Sequence, residues 1–324
     1  MRRGLCIGRF LPLHRGHELL LRTGLNRVAR MTVLLCAQPS DPIPSAIRTA
    51  WLEALSPDLQ VASIEAALPP KSHDLEALAR AIRQAEPEPI DALFGSAAYL
   101  IPLAERLEAQ PVMVDPEHEI YPARSAALLA EPFAHWRFLA EVARPQFVKR
   151  ITLIGPESSG KSTLAQRLAQ RFNTAFMPEY GRTFETQHMV GKSYQPADLV
   201  RLAKTHVAIR RALERRANRL LIEDTDPLIT AVWSDMLCGT RDPWFAAFDE
   251  VADLYLLTDL DKAFVQDGIR YFGDKVARQR FMDLCQAELD RRALPHVKLS
   301  GSWQAREARA VAAIERRFAV KAEG

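Results

Sequence analysis

The sequence of 324 residues lacks the features that mark a secreted, membrane-spanning or disulfide-built protein. Its four cysteines (Cys6, Cys36, Cys238 and Cys285) are scattered, with no CxxC and no Cys/His ligand spacing. That argues for reduced core thiols against a disulfide framework or a zinc site. Apolar runs such as 151–154 and 254–257 fall far short of the roughly 20 residues that cross a bilayer. Met1-Arg2-Arg3 leads into a strand-like stretch with no long apolar h-region, so a cytoplasmic location is expected. The net charge of +3 is too small to argue for nucleic acid as a partner. The arginine pairs Arg210-Arg211 and Arg215-Arg216 recur at helical spacing and read as a solvated face. Internal repeats, low-complexity tracts and Gly/Ser-rich linkers are also missing.

What is present is an alternation of short apolar bursts with amphipathic stretches, in a chain long enough for two cores. Strands are expected over 4–7, 31–36, 61–64, 92–95 and 112–114, with helices over 17–27, 45–54, 75–85 and 97–109. The second half repeats the scheme. Its strands are expected over 151–154, 220–223, 254–257 and 297–299, its helices over 161–171, 196–216, 275–291 and 304–317. Strands spaced by helices imply parallel sheets covered on both faces, so the expected fold class is α/β with two doubly wound domains. The expected division is a first domain over 1–131, a packed aromatic connection over 132–148 and a second domain over 149–324. The oligomeric state, a homo-oligomer included, stays open.

Gly155-Pro156-Glu157-Ser158-Ser159-Gly160-Lys161-Ser162 matches G-x4-G-K-[ST] in full, after an expected strand and before an expected helix. Such a loop wraps its backbone N–H groups around phosphate at the positive end of the helix. Lys161 is expected to reach the β- and γ-phosphates of ATP, Ser162 to ligate Mg²⁺, and Thr163 follows in the same turn. No N/T-K-x-D guanine-reading element is present, which favours a small-molecule kinase over a GTPase. The strand over 220–222 runs into Glu223-Asp224-Thr225-Asp226. Asp224 is the better candidate for metal or base chemistry, whereas Asp226 is as readily a helix N-cap. Arg270, in Asp267-Gly268-Ile269-Arg270, and Arg278 suit a lid over the transferring phosphoryl group, with surface salt bridges nearly as good an account.

The other signature is Gly8-Arg9-Phe10-x-Pro12-x-His14-x-Gly16-His17. Two imidazoles three apart at a helix start can face one phosphate chain beside helix N–H donors. They would stabilise charge on ATP as a nucleophile attacks the α-phosphorus and pyrophosphate leaves.

Together with Pro132-Phe133-x-x-Trp136, Val148-Lys149-Arg150, Glu179-Tyr180-Gly181-Arg182 and the Glu223–Asp226 run, these motifs resemble the bifunctional nicotinamide-nucleotide adenylyltransferase/ribosylnicotinamide kinases of NadR type. The resemblance covers nearly the whole chain. It implies that the second domain phosphorylates ribosylnicotinamide to nicotinamide mononucleotide (NMN) with Mg²⁺ and ATP. It implies that the first domain adenylylates NMN to NAD. It places Glu179, Tyr180, Arg182 and Asp226 at the riboside, with the proton-accepting base either Glu179 or Asp224. It also places Arg48 and Trp51, in Ile47-Arg48-Thr49-Ala50-Trp51-Leu52, at the NMN site, and Gly8, Arg9, Phe10, His14 and His17 at ATP. Members with a regulatory role carry an N-terminal helix-turn-helix; this chain opens on its first strand, so no transcriptional role is expected.

One departure stands out. The family carries D-x-x-R and then I-S-x-T-x-x-R before the Pro-Phe segment, and both arginines grip ATP phosphates. Here His118 stands at the first position and Leu129 at the second, with Arg124 and Ser125 nearby. Losing such an arginine costs orders of magnitude in rate. Two readings follow: a two-reaction salvage enzyme, or a ribosylnicotinamide kinase whose first domain is only a nucleotide-binding or regulatory module. Restoring Arg at position 129 is expected to raise adenylyl transfer only where the rest of that site is intact.

Overall fold

Each half of the chain places its most apolar runs in strands covered on both faces by helices. A computed structural model describes residues 1–66, 68, 74–122, 124–261, 271 and 273–322. It divides into two units, Met1–Phe147 and Val148–Gly324.

In the first unit the strands are β1 (Arg3–Gly8), β2 (Arg30–Ala37), β3 (Leu59–Glu65), β4 (Ala92–Gly95) and β5 (Gln110–Met113). The helices are α1 (Arg15–Leu25), α2 (Ser45–Leu55), α3 (Leu75–Ala85), α4 (Leu100–Arg106) and α5 (Ser125–Ala130). The sheet is parallel throughout, in the order β3-β2-β1-β4-β5. The order reverses between β1 and β4, and it is beyond the carboxyl ends of strands at such a switch point, where the first motif begins, that sheets of this kind bind ligands. Alternate β2 residues feed two cores: Val33 and Leu35 on one face, Leu34 and Cys36 on the other. The stretch 132–147 groups with this unit. Ala140 and Ala143 join its core, and Leu139 makes an isolated antiparallel bridge with His14.

The second unit has β6 (Lys149–Ile154), β7 (Ala175–Met177), β8 (Leu220–Asp224), β9 (Leu254–Thr258) and β10 (His296–Leu299). Its helices are α6 (Lys161–Arg171), α7 (Tyr180–Phe184), α8 (Pro196–Glu214), α9 (Pro227–Cys238), α10 (Trp244–Ala247), α11 (Lys275–Arg291) and α12 (Trp303–Phe318). The parallel order is β10-β9-β6-β8-β7, which puts β6 and its following loop at the centre. Asp226 starts α9 as its N-cap and Gly239, at φ +70°, ends it. Of this unit's strands, β7 was absent from the expectation: three residues at a sheet edge are too few to show a period.

Candidate functional sites

In the first unit the motif forms a tight constellation at the start of α1. His14 is the N-cap, and the two histidines cap each other. The His17 backbone N–H donates to His14 Nδ1 (3.4 Å), and the His14 backbone N–H donates to His17 Nδ1 (3.3 Å). Both Nδ1 atoms are therefore acceptors, which leaves each neutral ring its proton on Nε2. The rings stack with centroids 3.6 Å apart, and Phe10 meets His17 edge-on at 4.9 Å. Burial, with His118 adding to it, lowers His14 to about 4; burial, His14 and His118 hold His17 well below its usual range. His14 Nε2 lies 3.1 Å from Ser125 Oγ, which ties α5 to the motif. The pair therefore offers neutral Nε2–H donors, not imidazolium charge, toward an anion.

The surrounding residues depart from expectation. Arg48 is fully buried and donates to the backbone carbonyls of Arg9 (2.7 Å) and Cys36 (3.4 Å) and to Asp41 (2.7 Å). Trp51 is buried in the core beside Leu52. Both are thus buried behind the first motif. Arg9 itself pairs with Asp41. Gly8 ends β1 against the Phe10 ring, 3.0 Å from where a Cβ would stand. Leu129 packs against the same core, so position 129 does not present a side chain to phosphate. Ser125 turns to His14 while Arg124 is exposed, and only the fold could show which of the two turns inward.

The second unit holds the P-loop in place before any ligand arrives. Gly155 has φ +136° and an added Cβ would lie 2.6 Å from Thr258 Oγ1; at Gly160, φ +88°, it would lie 2.3 Å from Trp303. Neither position admits a side chain. Ser159 Oγ donates to the Pro156 carbonyl (2.7 Å) and lies 2.6 Å from Thr258 Oγ1. Arg306, fully buried on α12, donates to the carbonyls of Ser159 (2.6 Å) and Asp259 (3.0 Å) and pairs with Asp261. Lys161 Nζ donates to the Pro156 carbonyl at 3.0 Å.

A cavity of about 330 Å³ opens from this loop. One end is lined by Glu157, Ser158, Gly160, Lys161, Ser162 and Thr163. The far end is apolar and aromatic, built by Tyr194, Leu199, Leu202, Ile229, Trp233 and Tyr271. Glu179 and Arg182 line the space between, 3.2 Å apart. Glu185 accepts from the hydroxyls of Tyr194 (2.5 Å) and Tyr271 (2.7 Å), and the Tyr271 backbone N–H donates to Glu157 (3.4 Å).

Asp224 lies buried beneath the loop. Burial and the Glu179 carboxylate raise its pKa, while Lys161, Ser162 and Arg182 oppose the rise. Among the described residues neither of its oxygens has a hydrogen-bond partner of normal geometry. A buried bare carboxylate facing the P-loop serine fits a Mg²⁺ site. No group of three or more His, Cys, Asp or Glu that would hold a metal occurs among the described residues. Phosphate oxygens and water would complete such a shell.

Three expected residues are placed differently. Tyr180 packs its ring against Phe184 (6.2 Å) and does not line the cavity, whose aromatic side chains are Tyr194, Trp233, Tyr271 and Trp303. Asp226 is bonded to Tyr255 Oη (2.6 Å) and the Ile229 N–H (3.2 Å), so its N-cap role wins over riboside binding. Arg278 lies on the buried face of α11, not on an exposed lid. Arg270 lies outside the described residues. Tyr194, Trp233 and Tyr271 gave no signal in sequence because they come from three separated elements.

Fold and site define a two-unit α/β protein with a P-loop phosphate site in its second unit. The AAA domain family model matches residues 150–306. The Trifunctional NAD biosynthesis/regulator protein NadR of Escherichia coli (strain K12) is 27% identical over 322 residues, covering 91% of this chain and 78% of that protein. Its namesake in Salmonella typhimurium is 28% identical over 306 residues, covering 87% and 74%. A crystal structure of NadR protein in complex with NR superposes with a TM-score of 0.81 at 19% identity, over 100% of this chain and 98% of that one. A second, in complex with NAD and AMP-PNP, gives 0.80 at 19% identity over the same shares. The chain is homologous to NadR and shares its fold.

Proposed function

We propose that this protein works in NAD salvage, phosphorylating ribosylnicotinamide to NMN in the second unit. The observation that carries the reading is one cavity joining a P-loop to an aromatic-lined end, with carboxylates between. That arrangement suits a nucleoside whose ring sits among Tyr194, Trp233 and Tyr271 and whose 5′-hydroxyl points at the loop. Glu179, at the middle of the cavity, takes the hydroxyl proton as the oxygen bonds to the γ-phosphorus and the bond to ADP breaks. Lys161 leaves the Pro156 carbonyl for the β- and γ-phosphates. Ser162 and Asp224 would hold Mg²⁺, which would supply charge neutralisation on the phosphates. Homology to NadR, whose name includes NAD biosynthesis, supports the choice of substrate.

The first unit is assigned adenylyl transfer from ATP to NMN, giving NAD and pyrophosphate. His14 and His17 contribute Nε2–H donors to the phosphates, and the phosphate of NMN attacks the α-phosphorus. A second reading, a nucleotide-binding module without turnover, is favoured by a partly buried Leu129, packed against the core, standing where a phosphate-gripping arginine is expected.

The test is incubation of the whole chain with Mg-ATP and ribosylnicotinamide, with products followed by mass spectrometry. NMN passing on to NAD supports both assignments; NMN accumulating alone selects the second reading for the first unit. Lys161→Ala is expected to abolish NMN formation while conversion of supplied NMN to NAD persists. Phosphorylation retained in that variant overturns the kinase assignment.

A further inference from the structure

The wall of the second-unit cavity contains an ionisable side chain that phosphoryl transfer does not use. His206, on α8, is 1% exposed and lines the apolar end beside Leu202, Ile229 and Thr230. Its Nε2 lies 3.4 Å from Oε2 of Glu223, which is 0% exposed on β8. The other Glu223 oxygen, Oε1, has no hydrogen-bond partner among the described residues. Successive strand residues point to opposite faces, so Glu223 turns to α8 while Asp224 turns to the P-loop side. Behind them Asp226 is pushed up to about 6, by burial first, against the Tyr255 hydrogen bond and with Glu223 adding to the rise. A fully buried carboxylate with a bare oxygen is costly in an apolar wall. Its one ring partner faces the cavity.

We propose that His206 reads the substituent on the acceptor's ring, accepting a neutral carboxamide and rejecting a carboxylate, with Glu223 as the positioning residue behind it. This rests on the reading of the cavity as a nucleoside site. Glu223 takes the Nε2–H of His206, which leaves Nδ1 as an acceptor. A carboxamide N–H satisfies that acceptor. A carboxylate offers only acceptors, and its charge would face a buried carboxylate across one imidazole. Of the charged groups lining the same cavity, Lys161 lies at the loop and Arg182 pairs with Glu179, while Glu185 is bonded to the Tyr194 and Tyr271 hydroxyls, so the field at the apolar end favours a cationic pyridinium ring and opposes added negative charge. A site built around one hydrogen bond rejects the analogue that cannot make it, because its own buried group is left unpaired.

The test is steady-state ADP release by the whole chain with ribosylnicotinamide and with its carboxylate analogue, the riboside of nicotinic acid. The wild type is expected to favour the amide by at least about 100-fold in kcat/KM. In Glu223→Gln the buried charge is gone and the proton is free to move to Nδ1. That ratio is then expected to narrow by at least about tenfold, through a lower KM for the carboxylate, with kcat for the amide within about threefold. His206→Leu is expected to raise KM for the amide by about tenfold or more, and His206→Asn, which keeps a polar atom there, to recover part of it. A ratio unchanged in Glu223→Gln, or both substrates weakened alike by the His206 variants, overturns the inference while leaving the kinase assignment standing. A wild type that phosphorylates neither riboside overturns the reading of the cavity itself.

Discussion

Arg306 is the side chain on which the second site most depends without touching a ligand. Its guanidinium is fully buried, gives one N–H to the Ser159 carbonyl inside the P-loop and another to the Asp259 carbonyl after β9, and pairs with Asp261. Arg306→Met fills most of the volume but leaves two buried carbonyls without a donor, at about 1–3 kcal/mol each. Asp261 is itself exposed, so its lost pair adds little, and the expected loss is about 2–6 kcal/mol. For a unit of this size about 1 kcal/mol shifts Tm by roughly 2–4 °C, so the melting transition should fall by about 10 °C. With two units present a single midpoint is ambiguous, and the relevant transition is the one that ribosylnicotinamide raises. KM for ATP should rise by about tenfold, because the loop loses the bond that aims the N–H groups of Ser159 and Gly160. Arg306→Lys, able to serve one carbonyl, should lie between. A Tm within about 2 °C of wild type together with an unchanged KM for ATP would refute this account of the loop.

Two further outcomes follow from the first unit. Leu129→Arg, which matches the family's motif by sequence, should not raise adenylyl transfer. It drives a guanidinium against the apolar core and should cost about 1–3 kcal/mol, seen as a lower melting temperature; a gain in NAD formation would show that position 129 does face the phosphates. Protonation is the other lever. His14 titrates near 4 and His17 well below its usual value in the folded chain, against 6.5 when unfolded. A lowered folded pKa gives stability that is complete above the unfolded value and drains away as pH falls through the folded one. The first unit should therefore lose on the order of 3 kcal/mol from His14 alone between pH 6.5 and 4. The His14→Gln/His17→Gln variant should show a shallower decline in thermal melts across that range, and a slope equal to wild type would contradict the buried, neutral pair. Asp226, raised to about 6 from 3.8, works in the opposite sense: its contribution is present below 3.8 and lost as pH rises through 6.

The sequence by itself determined the two α/β units, because buried parallel strands must be short, apolar and spaced by helices. Among the described elements, α6 and β4 fall where periodicity and turn residues put them. The sequence also determined the P-loop, since Gly155 and Gly160 take backbone angles and contacts that no side chain permits. What it could not determine is which polar residues face the ligand. Asp226 and Asp224 are two apart on one run, yet the first caps a helix and bonds Tyr255 while the second lies bare under the loop. Arg48 looks like a ligand-binding cation and is a buried brace. Tyr180 carries the motif, but the aromatic side chains lining the cavity are Tyr194, Trp233, Tyr271 and Trp303. These outcomes depend on contacts between segments tens of residues apart, such as His206 with Glu223 and Arg306 with Ser159. A motif records local backbone and residue type; only the packed chain decides the direction in which each side chain is spent.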